Sequence, residues 1–343
     1  MVALIDFKAE ITQINKIYQI KINVPFPVKY VCLYLFKLKD KWILIDAGLN
    51  FGKWKESLFS ALEKIGISIE QIDYCIITHI HIDHIGLVKT IKTENPKIRI
   101  IMSKITNEIF RWETNKENLK ELEIEAKNFA KLMVKYGMSE EQGERIVQFF
   151  TFWPRYLQYQ EPDITVEDGN ILLDSLKIIW TPGHSFGHIC IFNQTNNILF
   201  SGDHILSRIT PHIGNFIIPK TLQEKYKKMD FNNILKHYLN SLDRIEKLNP
   251  KIILPAHQEI ILDVHNRISQ IKKHHDNRLK EIMGVIKNNP LTPYEISKIH
   301  FGENLDEFNS YMALSEVLGH LNYLIMINKV KKFEKSGKIY FIS

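Results

Sequence analysis

The segment Thr78-His79-Ile80-His81-Ile82-Asp83-His84 places three imidazoles and a carboxylate within seven residues. These side chains bind transition metals, and their spacing says how. In an extended segment, residues two apart project to the same side, so His79 and His81 can grip one ion together. Asp83 and His84 follow where the chain must turn into a helix near Gly86, which lets them face a second ion. Three later segments offer donors of the same kind. Thr181-Pro182-Gly183-His184 follows Ile178-Ile179-Trp180, Ser201-Gly202-Asp203 follows Ile198-Leu199-Phe200, and Pro255-Ala256-His257 follows Ile252-Ile253-Leu254. Asp203 is placed to bridge two ions. Four times an apolar strand ends in a small or turn residue and then presents His or Asp, which suits strand-end loops that carry function better than core packing.

The chemistry such a set supports is hydrolysis. Two cations about 3.5–4 Å apart lower the pKa of a water between them and yield a bridging hydroxide near neutral pH. That group attacks an electrophilic carbonyl or phosphorus. Asp83, the expected catalytic residue, can hold one ion and accept the proton of the water, so no Ser or Cys nucleophile is required. Two divalent ions are expected, Zn2+ by default for a His-rich shell, with Fe or Mn also fitting mixed N/O donors.

The elements that must position these residues are legible in outline. Tyr18 to Val24, Tyr30 to Lys37 and Lys41 to Asp46 read as strands separated by turn signals. A helix follows Gly48, with Trp54, Leu58, Leu62 and Ile65 at helical spacing and Gly66 closing it. Ile72 to Thr78 is a near-continuous apolar strand, as one buried on both faces would be. Residues 104–160 change character to helical periodicity and end in the aromatic segment Phe149 to Tyr159, which could roof a site or be plain core. Strand signals resume from Ile164 through Phe200, a helix spans Ile234 to Leu248, and Lys251 to Leu254 is another strand. After His265 come a long basic helix (266–287), a helix start at Thr292-Pro293, a helix from Glu307 to Asn328 and two short strands around Lys335-Ser336-Gly337-Lys338.

The ordered set H-x-H-x-D-H, Gly-His, Gly-Asp and a late His resembles the metallo-β-lactamase superfamily over about residues 20–262. The resemblance implies an α/β fold, a four-layer αββα sandwich with a two-metal site at one edge of its sheets. It assigns His79, His81 and His184 to one ion, Asp83, His84 and His257 to the other, and shares Asp203. It further implies that Asp46, in Ile45-Asp46-Ala47-Gly48, orients ligands. His188, after Gly187, is read as supporting or packing. The whole arrangement is similar to β-lactamase-like, glyoxalase II-like hydrolases that carry a terminal winged helix, a group that includes endoribonucleases on single-stranded RNA. The expected division is a catalytic domain over 1–264, with a helical insert at 104–160, and a winged-helix domain over 265–343. Two departures stand out: the insert is long, and Cys32 sits where many relatives have Asn.

Composition sets the outer bounds. With 343 residues, 45% hydrophobic and 24% charged, the chain is neither disordered nor collagen-like. Three scattered cysteines, Cys32, Cys75 and Cys190, argue against a disulfide framework or a cysteine zinc cluster. No signal-peptide pattern and no long apolar run are seen, so a cytoplasmic protein without a membrane partner is expected. The net charge of +6 is mild. Residues 265–343 carry 12 Lys+Arg against 8 Asp+Glu, concentrating that excess.

The expected substrate is a small ester, thioester or lactone; the alternative is metal-dependent cleavage of single-stranded RNA held by the basic terminal domain. An iron-based redox role lacks any accompanying redox motif, and a non-catalytic binding module sits badly with a complete donor set. His204, Arg208 and His212, close after Asp203, are candidate contacts for an anionic substrate, with structural hydrogen bonding the ordinary reading of loop residues. His237, His265, His274, His275 and His300 are assigned to solvated helix faces. A homodimer is the assembly left open.

Overall fold

The computed structural model describes residues 7–214 and 217–343. The chain divides into two compact units. The first comprises the chain up to Arg111 together with Tyr156–Pro211 and Ile245–Arg267; the second comprises Trp112–Arg155, His212–Arg244 and Ile268–Ser343.

In the first unit, β1 (Glu10–Ile14), β2 (Ile17–Asn23), β3 (Tyr30–Leu38), β4 (Lys41–Ile45), β5 (Ile72–Ile76), β6 (Arg99–Ser103) and β7 (Ile164–Val166) form one sheet in that order. The strands up to β4 are antiparallel neighbours, and β4 to β7 run parallel. A second sheet holds β8 (Ile171–Leu172), β9 (Leu176–Trp180), β10 (Ile189–Asn193), β11 (Ile198–Gly202) and β12 (Ile252–Pro255), with only the β11–β12 pair parallel. The near-continuous apolar run of β3 is explained by burial on both faces. Tyr34, Phe36, Ile43, Ile45 and Ile76 from the first sheet pack with Ile178, Ile191, Phe200 and Leu254 from the second in one buried cluster. The alternate residues Leu33, Leu35 and Leu44 are buried on the outer face.

Helix α1 (Trp54–Ile65) packs on β2, buries Trp54, Leu58 and Leu62, and ends at Gly66 in the left-handed region (φ 85°), whose N–H donates to the Glu63 carbonyl. The short α2 (Ile82–Ile85) and α3 (Val88–Glu94) follow β5, and α3 packs on β6. The parallel registers Ile45↔Ile76 and Gly202↔Pro255 bring the carboxyl ends of β4, β5, β11 and β12 to shared edges. That is where the His- and Asp-bearing loops begin.

The second unit is mainly helical. α4 (Lys104–Thr114), most of which belongs to the first unit, leads into α5 (Leu119–Lys135) and α6 (Glu140–Phe152); α7 (Lys220–Lys225), the larger parts of α8 (Ile234–Leu248) and α9 (Val264–Val285), α10 (Pro293–Phe301) and α11 (Glu307–Met326) come later, followed by the hairpin β13 (Lys331–Lys335) and β14 (Lys338–Ile342). Ala130, Met133 and Ile146 from the insert share one buried cluster with Ile282, Ile296, Leu314, Leu318 and Phe341. The start of α10 follows its sequence signal. Thr292 accepts from the Glu295 N–H, the Glu295 carboxylate accepts from the Thr292 N–H at 2.8 Å, and Pro293 fills the first turn. Among the described residues no helix is long and apolar enough to cross a membrane.

Candidate metal centre

The chain leaves β5 at Ile76 and bends at Ile80–His81, and His81 keeps β-region angles (φ −62°, ψ 147°) directly before α2 begins. Asp83 and His84 therefore lie in the first turn of α2 rather than ahead of a later helix. His184 stands on the loop after β9, Asp203 directly after β11 and His257 two residues after β12. Two groups of donor atoms result. His79, His81, His184 and Asp203 form one, and Asp83, His84 and His257 the other, with the atoms of each group within 4.8 Å of one another. Asp203 links them: one carboxylate oxygen lies 3.3 Å from both His184 Nε2 and His257 Nε2, and the other lies 3.5 Å from His84 Nε2.

The far sides of the rings decide which nitrogens face inward. His84 Nδ1–H donates to Asp46 Oδ2 at 2.8 Å, and His257 Nδ1–H donates to the Tyr30 carbonyl at 2.5 Å. The Thr78 hydroxyl donates to Asp46 Oδ2 at 3.0 Å, so it accepts from His79 Nδ1–H, also at 3.0 Å. With those protons on Nδ1, each Nε2 presents a lone pair. His79 Nε2 and His184 Nε2 both lie 2.9 Å from His81 Nδ1. Converging lone pairs beside carboxylates are what a cation requires, and His84 Nε2 and Asp203 Oδ1 are buried with no hydrogen-bond partner among the described residues. The residues present thus fit a pair of metal ions.

The electrostatics split along the same line. For His84 burial alone would lower the pKa, but the Asp83, Asp203 and Asp46 carboxylates prevail and push it up to about 9. His257 is raised likewise against burial, by Asp203 and Asp83. Asp83 would be raised by burial, yet His84 and His257 hold it down to about 2. His81, farther from carboxylates, is pushed down to about 3 by burial and by His184.

Asp46 is the hub of this wiring. It follows β4 in the left-handed region (φ 65°), a conformation Asp tolerates better than most residues. Besides its two contacts above, Oδ1 accepts from the Thr78 N–H at 2.7 Å, so one carboxylate fixes both histidine-bearing segments. His188 has both ring nitrogens engaged: Nδ1 with Thr181 Oγ1 at 2.8 Å, and Nε2 accepting from the Asp203 N–H at 3.1 Å. It anchors the Asp203 backbone and has no nitrogen left for an ion. Gly202 permits that contact. Its φ is 49°, and a Cβ there would stand 2.6 Å from His188 Nε2.

The weaker candidates do not join the donor groups. His204 is buried with its ring centroid 5.9 Å from that of His188. Arg208 is 74% exposed, pairs with Glu259 at 3.7 Å, and sits on a backbone whose N–H donates to Gln258 Oε1. His212 belongs to the second unit. His275, expected on a solvated face, is buried and bonded to His320. Thr78 and the Tyr30 carbonyl were not singled out from sequence. Thr78 adjoins the motif and was open to notice; a backbone carbonyl 227 residues from its histidine gives no sequence signal.

Comparison with known proteins agrees with this geometry. Residues 30–257 match the metallo-beta-lactamase superfamily model, and residues 279–342 match a metallo-beta-lactamase-like C-terminal domain. The chain is 25% identical over 328 residues to the probable metallo-hydrolase YqjP of Bacillus subtilis (strain 168), covering 94% of this chain and 96% of that one. Among solved structures, it resembles a metallo-beta-lactamase family protein from Thermus thermophilus (TM-score 0.75, 24% identity, 96% of this chain and 99% of that one). It also resembles a beta-lactamase domain protein from Burkholderia ambifaria (TM-score 0.79, 20% identity, 97% and 94%). With a matching family model over most of its length and a donor set converging at the expected sheet edge, the chain belongs to the metallo-beta-lactamase superfamily, as one of its metallo-hydrolases.

Proposed function

We propose that the first unit is a dinuclear hydrolase of a small ester, thioester or lactone. His79, His81 and His184 would hold one divalent cation and Asp83, His84 and His257 the other, with Asp203 between them. Bound there, the cations supply Lewis acidity toward a carbonyl oxygen and ionise a water near neutral pH. The observation that carries this reading is the fixing of the Nδ1 protons of His79, His84 and His257 on Thr78, Asp46 and the Tyr30 carbonyl, which turns three Nε2 lone pairs toward the same space.

The remaining roles belong to the chain's own groups. Asp46 keeps both histidine segments in register and holds the His84 ring in one tautomer. Asp83, whose Oδ2 lies 3.4 Å from His257 Nε2, receives the proton released from the attacking water. Of the four residues in the first donor group, His81 and His184 are partly exposed while His79 and Asp203 are buried, so substrate reaches the site past those two rings. Zn2+ suits the five imidazoles best. The three cysteines are buried and free, in keeping with the reducing cytoplasm. The terminal helices and hairpin are read as a winged helix.

Metal analysis of the purified chain, followed by a panel of thioesters, lactones, phosphodiesters and single-stranded RNA, tests the proposal. Two metal equivalents and chelator-sensitive acyl hydrolysis are expected. Undiminished turnover after chelation would overturn it. The second reading, cleavage of single-stranded RNA, draws on the positive excess of residues 265–343, and would replace the first if RNA were the preferred substrate in that panel.

A further inference from the structure

Residues 329–338 carry five lysines and one acid. The register of the hairpin pairs Lys331 with Ile342, Phe333 with Tyr340 and Lys335 with Lys338. Paired residues in an antiparallel ladder share a face, so these six side chains lie on one side and Lys332, Glu334, Ile339 and Phe341 on the other. The second side faces the core of its unit: Phe341 is fully buried, Ile339 packs beside it, and Glu334 pairs with Lys135 at 3.2 Å. The first side is open. Phe333 is 40% exposed, and its ring stacks on that of Tyr340 with centroids 5.8 Å apart and planes 19° from parallel. Lys331, Lys335 and Lys338 surround this pair, and none of them has an ion-pair partner among the described residues.

Strand β13 is the outer strand of the hairpin, since β14 also exchanges backbone hydrogen bonds with Leu291 through Phe341. Lysines on an outer strand discourage pairing with another chain. That role leaves an exposed phenylalanine at their centre unexplained, because an apolar ring there works against it. We propose that this face binds single-stranded nucleic acid, one base stacking on the Phe333–Tyr340 pair and flanking phosphates meeting Lys331, Lys335 and Lys338. Aromatic platforms within a cationic surface bind single strands in this way, and an unstacked base is needed, so a duplex fits poorly. A bilayer fits less well too, because the exposed apolar surface amounts to one ring, part of a second and part of Ile342, short of what anchoring requires. The proposal does not depend on which bond the first unit cleaves.

The test is fluorescence anisotropy of the full chain with short labelled oligo(U) RNA, oligo(dT) DNA and an RNA duplex, with and without chelator. Single strands should bind more tightly than duplex, weaken steeply from about 50 to 200 mM salt, and ignore chelator. The RNA and DNA arms identify which single strand is the better ligand. Phe333→Ala should weaken binding about 5- to 100-fold with an unchanged circular dichroism spectrum. Lys335→Gln and Lys338→Gln, both exposed and remote from any core contact, should each weaken it several-fold and flatten the salt slope. The proposal is overturned by absent single-strand binding, by parental affinity in the lysine variants, or by parental affinity in a folded Phe333→Ala. Phe333-dependent binding to phosphatidylserine vesicles without oligonucleotide binding would also overturn it. Because binding is read without turnover, its failure is separable from failure of the hydrolase reading.

Discussion

In the first unit, His79, His84 and His257 direct their Nδ1 protons outward to Thr78, Asp46 and the Tyr30 carbonyl, leaving lone pairs to converge beside Asp83 and Asp203. In the second unit, His275 directs its Nδ1 proton to His320 Nε2 at 3.0 Å, and His320 Nδ1–H donates to the Glu316 carbonyl at 2.8 Å. Both sets are buried, yet only the first is surrounded by carboxylates. Burial, His320 and His274 push His275 down to about 2, and burial pushes His320 down to about 4 against the Glu316 carbonyl, while His84 is pushed up to about 9. A histidine cluster is therefore poised for a cation by where its distal protons go and by the acids beside it, and not by the number of rings. The second pair behaves as a neutral core hydrogen bond.

Breaking the comparison most severely means removing an inward donor. Asp203→Ala or His81→Ala should lower turnover at least about 1,000-fold and reduce bound metal from two equivalents to one or fewer. His275→Phe, assayed alongside by metal analysis and steady-state kinetics, should leave both within about 2-fold. Comparable metal loss in His275→Phe would erase the distinction between the clusters. Next, Asp46→Asn keeps the shape but weakens the orientation of His84 and Thr78. Metal affinity measured by competition with a chromophoric chelator should fall about 10- to 100-fold. Unchanged affinity would show that the outward protons are not decisive.

Acidity sharpens the contrast from the other side. His275 and His320 have pKa values lower in the folded chain than the ordinary 6.5, so below that pH the unfolded chain takes up protons the folded one does not. The contribution of the two rings to stability is then present above about pH 6.5 and lost as pH falls, toward about 4 for His320 and toward about 2 for His275, by at most about 1.4 kcal/mol per pH unit for each ring. Hydrogen exchange of α11 against pH should show that loss, and His275→Phe should flatten it. An unchanged slope would refute the neutral pairing. The smallest effect is expected for Thr78→Val, which removes the acceptor of His79 Nδ1 and one donor to Asp46 Oδ2 but leaves the Thr78 N–H bond to Asp46 Oδ1 in place. A several-fold drop in metal affinity, close to the roughly 1 kcal/mol of one hydrogen bond, is the expected readout.

Much of this was open to inspection in the sequence because the signals are local. The donors sit at strand ends marked by apolar runs and turn residues, Gly66 stops α1, and Thr292-Pro293 with Glu295 starts α10. What stayed hidden depends on distant partners. The edge strand β1 lacks a buried face, and the insert and terminal helices share a core through residues more than a hundred positions apart, such as Met133 and Leu314. The burial of His275 is masked in the sequence by its polar type. Its spacing with Ile268, Ile271 and Ile282 in fact marks the buried stripe of α9, a signal that periodicity alone carried.

The reach of His257 back to Tyr30 has a consequence for biosynthesis. The first sheet's donors leave the ribosome first, but the donor that closes the set, His257, emerges long after them. A nascent or prematurely terminated polypeptide can acquire an incomplete grip on an ion at best. Full loading thus doubles as a report that translation has passed that point and that the two ends of this unit have found each other.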